Sequence, residues 1–250
     1  MRKKLLTLTC AIAMLSTAPA YAQSDWGGSY NLEFSKKIGK KLTLSFEEEY
    51  RTRNNFRSTE RFMTTIGADY KLNRFLKIGA DYTLINIDTQ DNQFYDWEVR
   101  HRWSAFITAS HKIGRFKISL REKFQQTYRM GVPSCETDST YNTDEARWEY
   151  EQKERSNPKK MLRSRLQVSY DIKKSKFEPY AAIELSHLID DPINTGLARV
   201  RYTVGTDYKL SKHSKLNLFY RYNDEKTTNR KGDEYDPDSH YIGVGFSHEF

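Results

Sequence analysis

His240-Tyr-Ile-Gly-Val-Gly-Phe-Ser-His-Glu-Phe250 places apolar side chains at every second position, Ile242, Val244 and Phe246, and finishes on Phe250. Period two is the signature of a strand, and one face of this strand stays apolar to its last residue. Chain ends of water-soluble domains usually fray into polar solvent, whereas a transmembrane barrel needs an apolar-out, polar-in strand to close its final pairing edge. Ile242, Val244, Phe246 and Phe250 therefore read as a C-terminal strand signal, addressed to outer-membrane lipid and to the barrel-assembly machinery. By the same phase Gly243 and Gly245 face inward and leave room in the lumen. No helix follows them, so they are not a phosphate loop.

The opposite end agrees. Arg2, Lys3 and Lys4 precede an apolar run over residues 5–15, and Ala20-Tyr21-Ala22 supplies a small-x-small cleavage site before Gln23. Residues 1–22 read as a signal peptide and 23–250 as one barrel domain; removing the three cations lowers the formal charge from +8 to +5. Cys10 lies in the apolar run without a lipobox, so the mature chain keeps Cys135 alone and no internal disulfide is expected. Beyond the signal no stretch approaches the ~18 apolar residues of a spanning helix. A mean hydropathy of −0.83 excludes a helical membrane protein but not a barrel, whose lumen half is polar. Nucleic-acid binding is not expected, because cations and aromatics alternate residue by residue instead of gathering on one surface.

Alternation recurs along the chain and predicts eleven strands: 26–35, 42–53, 60–72, 76–86, 94–110, 116–129, 160–172, 177–187, 197–210, 216–223 and 240–250. Outward sets include Leu42, Leu44, Phe46, Tyr50; Phe62, Ile66, Tyr70; Trp97, Val99, Trp103, Ile107; and Val200, Tyr202, Val204, Tyr208. From Leu42 to Tyr50 is roughly 26 Å of strand, or about 19 Å of height once tilted, most of an outer-membrane apolar band. Connections alternate between short (36–41, 73–75, 111–115, 173–176, 211–215) and mostly longer (54–59, 87–93, 130–159, 188–196, 224–239), which assigns the short turns to the periplasm and the long loops to the exterior. The repeated block Gly67-Ala-Asp-Tyr-Lys-Leu72 and Gly205-Thr-Asp-Tyr-Lys-Leu210 puts Tyr70 and Tyr208 beside Tyr170 in a periplasmic aromatic girdle. The expected fold is an all-β antiparallel transmembrane barrel of ten to twelve strands. Single-chain bacterial barrels are even-numbered, so with both termini periplasmic eleven is excluded: either 26–35 does not span or a twelfth strand is hidden. Glu48 and Glu122 fall on the outward face, which asks for a bulge or a near-interface depth.

The inward positions carry the chemistry. Arg-x-Arg recurs at Arg51/Arg53, Arg100/Arg102, Arg163/Arg165 and Arg199/Arg201, each on the strand half nearer a long loop, and Arg121, Lys123 and Arg221 share the phase. Glu47, Glu49, Glu98 and Glu184 supply counter-charges. Two readings follow. In the favoured one, carboxylates and guanidinium forks fill a narrow lumen and the barrel has a structural or interaction role. In the alternative, the cation ring forms a narrow anion-preferring channel for a small anionic solute.

Enzymatic activity is not expected, and no catalytic residue is assigned. His111 and His213 fall in turns, and His101 and His248 on outward phases. Only Ser186-His187-Leu-Ile-Asp190-Asp191 sets a histidine beside carboxylates at the outer rim, a minor alternative as a rim hydrolase. No metal site or cofactor is expected, since Asp233, Glu234, Asp236 and Asp238 lack the calcium-loop spacing and its glycine. The acidic stretch 130–159, with Glu136, Asp138, Asp144, Glu145, Glu149, Glu151, Glu154, Trp148 and Cys135, reads as a solvated cap, or else as an external binding loop.

Trp26, Leu42-Thr-Leu-Ser-Phe-Glu-Glu-Glu-Tyr-Arg51, Tyr82, Phe177-Glu-Pro-Tyr-Ala-Ala-Ile-Glu184 and Arg199-Val-Arg-Tyr-Thr-Val-Gly-Thr-Asp-Tyr208 together resemble the outer-membrane family called domain of unknown function 2490 (DUF2490). The resemblance covers most of the mature chain. It implies a small outer-membrane barrel and no assigned activity, so it adds no catalytic residue.

Overall fold

The computed structural model describes residues 25–91, 94–130, 135–142, 147–154, 157–189, 195–225, 227–228, 234–235 and 238–250. In chain order the strands are β1 (Asp25–Ile38), β2 (Leu42–Arg53), β3 (Ser58–Lys71), β4 (Leu76–Asp91), β5 (Phe94–Ile113), β6 (Phe116–Arg129), β7 (Cys135–Asn142), β8 (Arg147–Glu154), β9 (Lys159–Tyr170), β10 (Phe177–Ile189), β11 (Gly196–Lys209), β12 (Ser214–Glu225), β13 (Thr227–Thr228), β14 (Glu234–Tyr235) and β15 (Ser239–Glu249). Eleven of them close into one barrel in the order β1-β15-β12-β11-β10-β9-β6-β5-β4-β3-β2, while β7/β8 and β13/β14 form small hairpins within the two longest loops. These eleven are the predicted segments, most of them lengthened. The expected loop 87–93 shrinks because β4 and β5 pair as far as Asp91↔Phe94, and the expected cap 130–159 contains the β7/β8 hairpin.

The even-number expectation is overturned. Both candidate remedies fail, since β1 spans and no twelfth barrel strand exists among the described residues. With every other pairing antiparallel, an odd count makes the first and last strands run the same way, and β1 pairs β15 in parallel over eleven residue pairs, Asp25↔Ser239 to Ser35↔Glu249. The barrel therefore begins at the long-loop rim and ends at the short-turn rim, where the Phe250 amide donates to the Ser35 carbonyl (2.8 Å) and its ring lies beside Phe34. Closure by β15 was expected; its direction was not. Parallel ladders are slightly weaker per residue than antiparallel ones, and rings reinforce this seam. Trp26 stacks on its register partner His240 (4.7 Å between centroids), and His240 stacks in turn on Tyr222 (5.0 Å). Gly27 is required beside the seam: a Cβ there would meet the Thr52 carbonyl oxygen at 2.1 Å, where the β2/β3 register shifts between Arg51 and Thr52.

Burial is inverted relative to a water-soluble protein. The buried side chains are mainly polar, among them Ser29, Glu49, Gln125, Glu184, Arg201 and Asn223, while Leu32, Phe46, Ile66, Trp103, Phe124, Leu166, Val204 and Val244 are exposed on the outer wall. Such a wall in water would be one contiguous apolar patch far beyond what soluble monomers tolerate. It is the lipid-facing belt of a transmembrane barrel. Ring pairs border it at both rims: Phe116/Tyr170 and Phe177/Tyr208 at the short turns, Tyr50/Phe62 and Tyr202/Tyr222 toward the long loops.

Glu48 and Glu122 do sit on this wall, and neither has the bulge expected of it, since register is continuous through both. Each takes a hydrogen bond from the hydroxyl of its cross-strand partner, Thr64 to Glu48 (3.0 Å) and Ser164 to Glu122 (2.6 Å). The hydroxyls replace part of the hydration these carboxylates lose.

The parallel seam has a direct test. In a Cys135→Ser background, Leu32→Cys with Phe246→Cys places two outward thiols on register partners, and a short bis-maleimide should join them in high yield and shift the denatured band. Absence of cross-linking alongside an efficient control pair on β2/β3 would show that the seam is built differently.

Candidate solute path

The inward faces enclose a cavity of about 1120 Å³ whose lining runs from Lys40, Lys41 and Lys71 at the short-turn rim to Arg129, Lys159 and Arg199 at the long-loop rim. Nineteen Lys and Arg side chains line it against seven Asp and Glu. Cation excess is the dominant property of this space.

Alternation is what sends these residues inward, and the register then decides which of them meet. Glu49 of β2 accepts hydrogen bonds from Arg51 (2.6 Å) and from Ser29 of β1 (2.8 Å), and Arg221 of β12 approaches to 3.8 Å across the seam. Glu184 of β10, only 3 % exposed, holds two strands at once: Arg163 of β9 donates from Nη2 (2.6 Å) and Nε (3.2 Å), and Arg201 of β11 from Nη1 (3.4 Å). Lys123 pairs with Asp81 of β4 (2.7 Å), Arg100 with Glu98 through two 2.7 Å bonds, Arg199 with Glu225, and Arg61 with Glu60, whose other oxygen accepts from Tyr241 (2.9 Å). Other cations find only neutral partners: Arg102 donates to the Thr127 hydroxyl (3.2 Å) and Arg165 to Gln167 (3.0 Å). Arg121 makes no hydrogen bond or ion pair among the described residues.

Of the predicted cation ring, Arg51, Arg100, Arg102, Arg121, Lys123, Arg163, Arg165, Arg199, Arg201 and Arg221 line the cavity. Arg53 does not; its guanidinium donates to the Asp88 carbonyl of β4 (2.7 Å). Glu47 and Glu49 line the cavity, whereas Glu184 lies beneath its two arginines and Glu98 is taken up by Arg100. Arg61, Lys77 and Lys117 also line it; they share the inward phase but stand outside the Arg-x-Arg pattern that drew attention to the others.

Apolar groups narrow the path too. Met63, Ile85 and Ile87 cluster on the β3/β4 wall. The room expected at Gly243 is occupied by the Phe219 ring, whose nearest atom would lie 2.0 Å from an added Cβ, and Arg221 stacks over that ring (4.7 Å). Gly245 has Asn217 and Asn31 at ordinary contact distance.

Three of the six histidines are engaged in the wall: His101 with the Tyr82 hydroxyl (2.6 Å), His240 with the Tyr220 hydroxyl (2.7 Å) and His248 with Ser214 (2.9 Å). His187 follows the inward-facing Ser186 on β10, and its suggested partners Asp190 and Asp191 lie outside the described residues, as do the side chains of 135–142 and 147–154. No cluster of metal-binding side chains forms among the described residues.

One protein family, described as protein of unknown function (DUF2490), matches over residues 26–234. Comparison with curated proteins gives no match. Among solved structures, the NanC porin is similar at 12 % identity and a TM-score of 0.49, covering 90 % of this chain and 99 % of that one. The β domain of the Bordetella autotransporter BrkA is similar at 14 % and 0.47, covering 86 % of each chain, and an anion-selective porin from Comamonas acidovorans at 11 % and 0.35, covering 85 % of this chain and 55 % of that one.

Glu184 should matter for stability far more than a rim carboxylate. Glu184→Ala strands two buried guanidinium groups and should cost about 3–5 kcal/mol. Glu249→Ala, which breaks an exposed pair with Lys37, should cost under about 1 kcal/mol. Urea unfolding of the detergent-solubilised barrel measures both.

Proposed function

We infer, for a chain that belongs to the DUF2490 family, an outer-membrane channel that passes small anionic solutes. The observation that carries this reading is the cavity itself, which is lined from rim to rim and is nineteen to seven in favour of cations. A lumen sealed by ion pairs would bring its charges close to balance. Here the Glu184 and Glu49 clusters narrow the path and fix neighbouring strands, and the remaining cations still face open volume. In a passage walled by low-dielectric protein, cations raise the local concentration of anions and repel cations.

Residues 1–22 act as a cleaved signal peptide, the short turns face the periplasm, and the last strand, ending on Phe250 at the periplasmic rim, is the segment offered to the barrel-assembly machinery. β1 then starts, at Asp25, on the cell-surface rim.

In planar bilayers under a potassium chloride gradient, the purified protein should show discrete steps and a reversal potential of anion sign. Raising salt from about 0.1 M to about 1 M shortens the screening length from about 10 Å to about 3 Å and should reduce that preference. A flat baseline would remove the channel, and a reversal potential of cation sign would remove the arginine argument.

A further inference from the structure

Some of the like charges of the lumen stand directly opposite one another. On the β6/β9 wall two successive rungs are cation against cation, Arg121↔Arg165 and Lys123↔Arg163. Like charges directly opposite on neighbouring strands are destabilising. Asp81 and Glu184 pair with the second rung, but the first makes no ion pair among the described residues: Arg165 donates to Gln167, and Arg121 makes no hydrogen bond.

The β1/β2 wall carries the converse. Glu33 and Glu47 are register partners, an acid rung in which Glu47 accepts only from Asn31 (3.2 Å) and Glu33 has no hydrogen bond or ion pair among the described residues. All four residues line the same cavity. Around the barrel, three strands separate β2 from β6 and four separate β1 from β9, so the two rungs face each other across the lumen. They share a level as well: Glu47 lies six residues beyond Lys41 and Arg121 six beyond Arg115, both counted from short turns.

Two like-charge rungs of opposite sign, neither closed by an ion pair among the described residues and set on opposed walls of one cavity, make a transverse dipole. We propose that this is a selectivity site for small zwitterionic solutes, with a carboxylate or similar oxyanion held by Arg121 and Arg165 and an ammonium group directed at Glu33 and Glu47. Arginine suits the first task because its planar fork meets an oxyanion bidentately. A simple anion satisfies one wall only; a zwitterion of the right length relieves the repulsion on both. The proposal goes beyond the anion-channel reading in its class of solute and rests on that reading for transport, but the binding site stands on geometry alone.

Binding and conduction are therefore measured separately. The mature barrel in detergent is titrated calorimetrically with 6-aminohexanoate and with hexanoate, and the same protein is recorded in bilayers. Wild type should bind 6-aminohexanoate at least about tenfold more tightly, a difference of about 1.4 kcal/mol. Glu33→Gln with Glu47→Gln should erase that preference while hexanoate affinity is kept or improved. Arg121→Gln with Arg165→Gln should weaken both ligands. Each double variant removes a repulsive rung, so each should fold and should unfold at a higher temperature than wild type when no solute is present.

Equal affinities for the two solutes in wild type would overturn the proposal, as would a preference that survives loss of Glu33 and Glu47. The preference without conduction would leave the site intact and remove the channel. Conduction without the preference would do the reverse.

Discussion

Hydrocarbon offers no hydrogen bonds to a peptide backbone, so every amide and carbonyl in the apolar band must be paired within the protein. For a sheet that means closure, and closure is the constraint from which the other features of this barrel follow. Ten of its eleven neighbour relations are antiparallel hairpins or returns, and they leave the first and last strands pointing the same way. The ladder can be completed only in parallel. The local chemistry at β1 answers that requirement: Gly27 admits the Thr52 carbonyl, the Gly28 amide donates to the Thr52 hydroxyl (2.7 Å), and Trp26 stacks across the seam on His240.

Closure also turns the burial pattern inside out. A closed sheet in lipid has its apolar face outward by necessity, so the stabilising surface is the belt and the interior is left for polar groups. These are costly to bury unless they find one another. Glu184 joins cations of β9 and β11, Glu49 reaches Arg221 of β12 and Asp81 reaches Lys123 of β6, so the ion pairs act as ties between strands. Specificity of register is the best-supported role for such pairs, and here a slip of one residue would send these guanidinium groups into lipid.

Strand positions and outward sets were legible in the sequence because alternation is a local property, and an apolar belt writes it plainly. Most of the inward cations were legible for the same reason. Parity was not, because the rule of even strand number concerns how barrels are usually assembled and carries no local signal. Arg53 donates to a backbone carbonyl of β4 and does not line the cavity, a contact with another strand that no alternation count reveals. Glu48 and Glu122 looked anomalous only because their hydroxyl partners, Thr64 and Ser164, belong to other strands. Phe219 over Gly243 was hidden in the same way: the glycine looked like empty space until its cross-strand neighbour was known.

The same limit explains why the repeated Arg-x-Arg suggested a ring. Along the chain these pairs are equivalent, and equivalence in sequence implies symmetry around the axis. Register breaks it. Arg163 and Arg201 converge on Glu184, Arg51 and Arg221 on Glu49, and Arg100 and Arg199 each take a carboxylate of their own, while Arg121 and Arg165 form a rung of two cations without an ion pair among the described residues. The acids of the opposed rung, Glu33 and Glu47, lie on the far wall and cannot close the gap without collapsing the lumen. A protein whose folding were limited only by stability would lose these repulsive pairs readily, since neutral residues fit the same positions. Their placement at one level on opposed walls costs stability, and the open volume between them is where that cost finds a use.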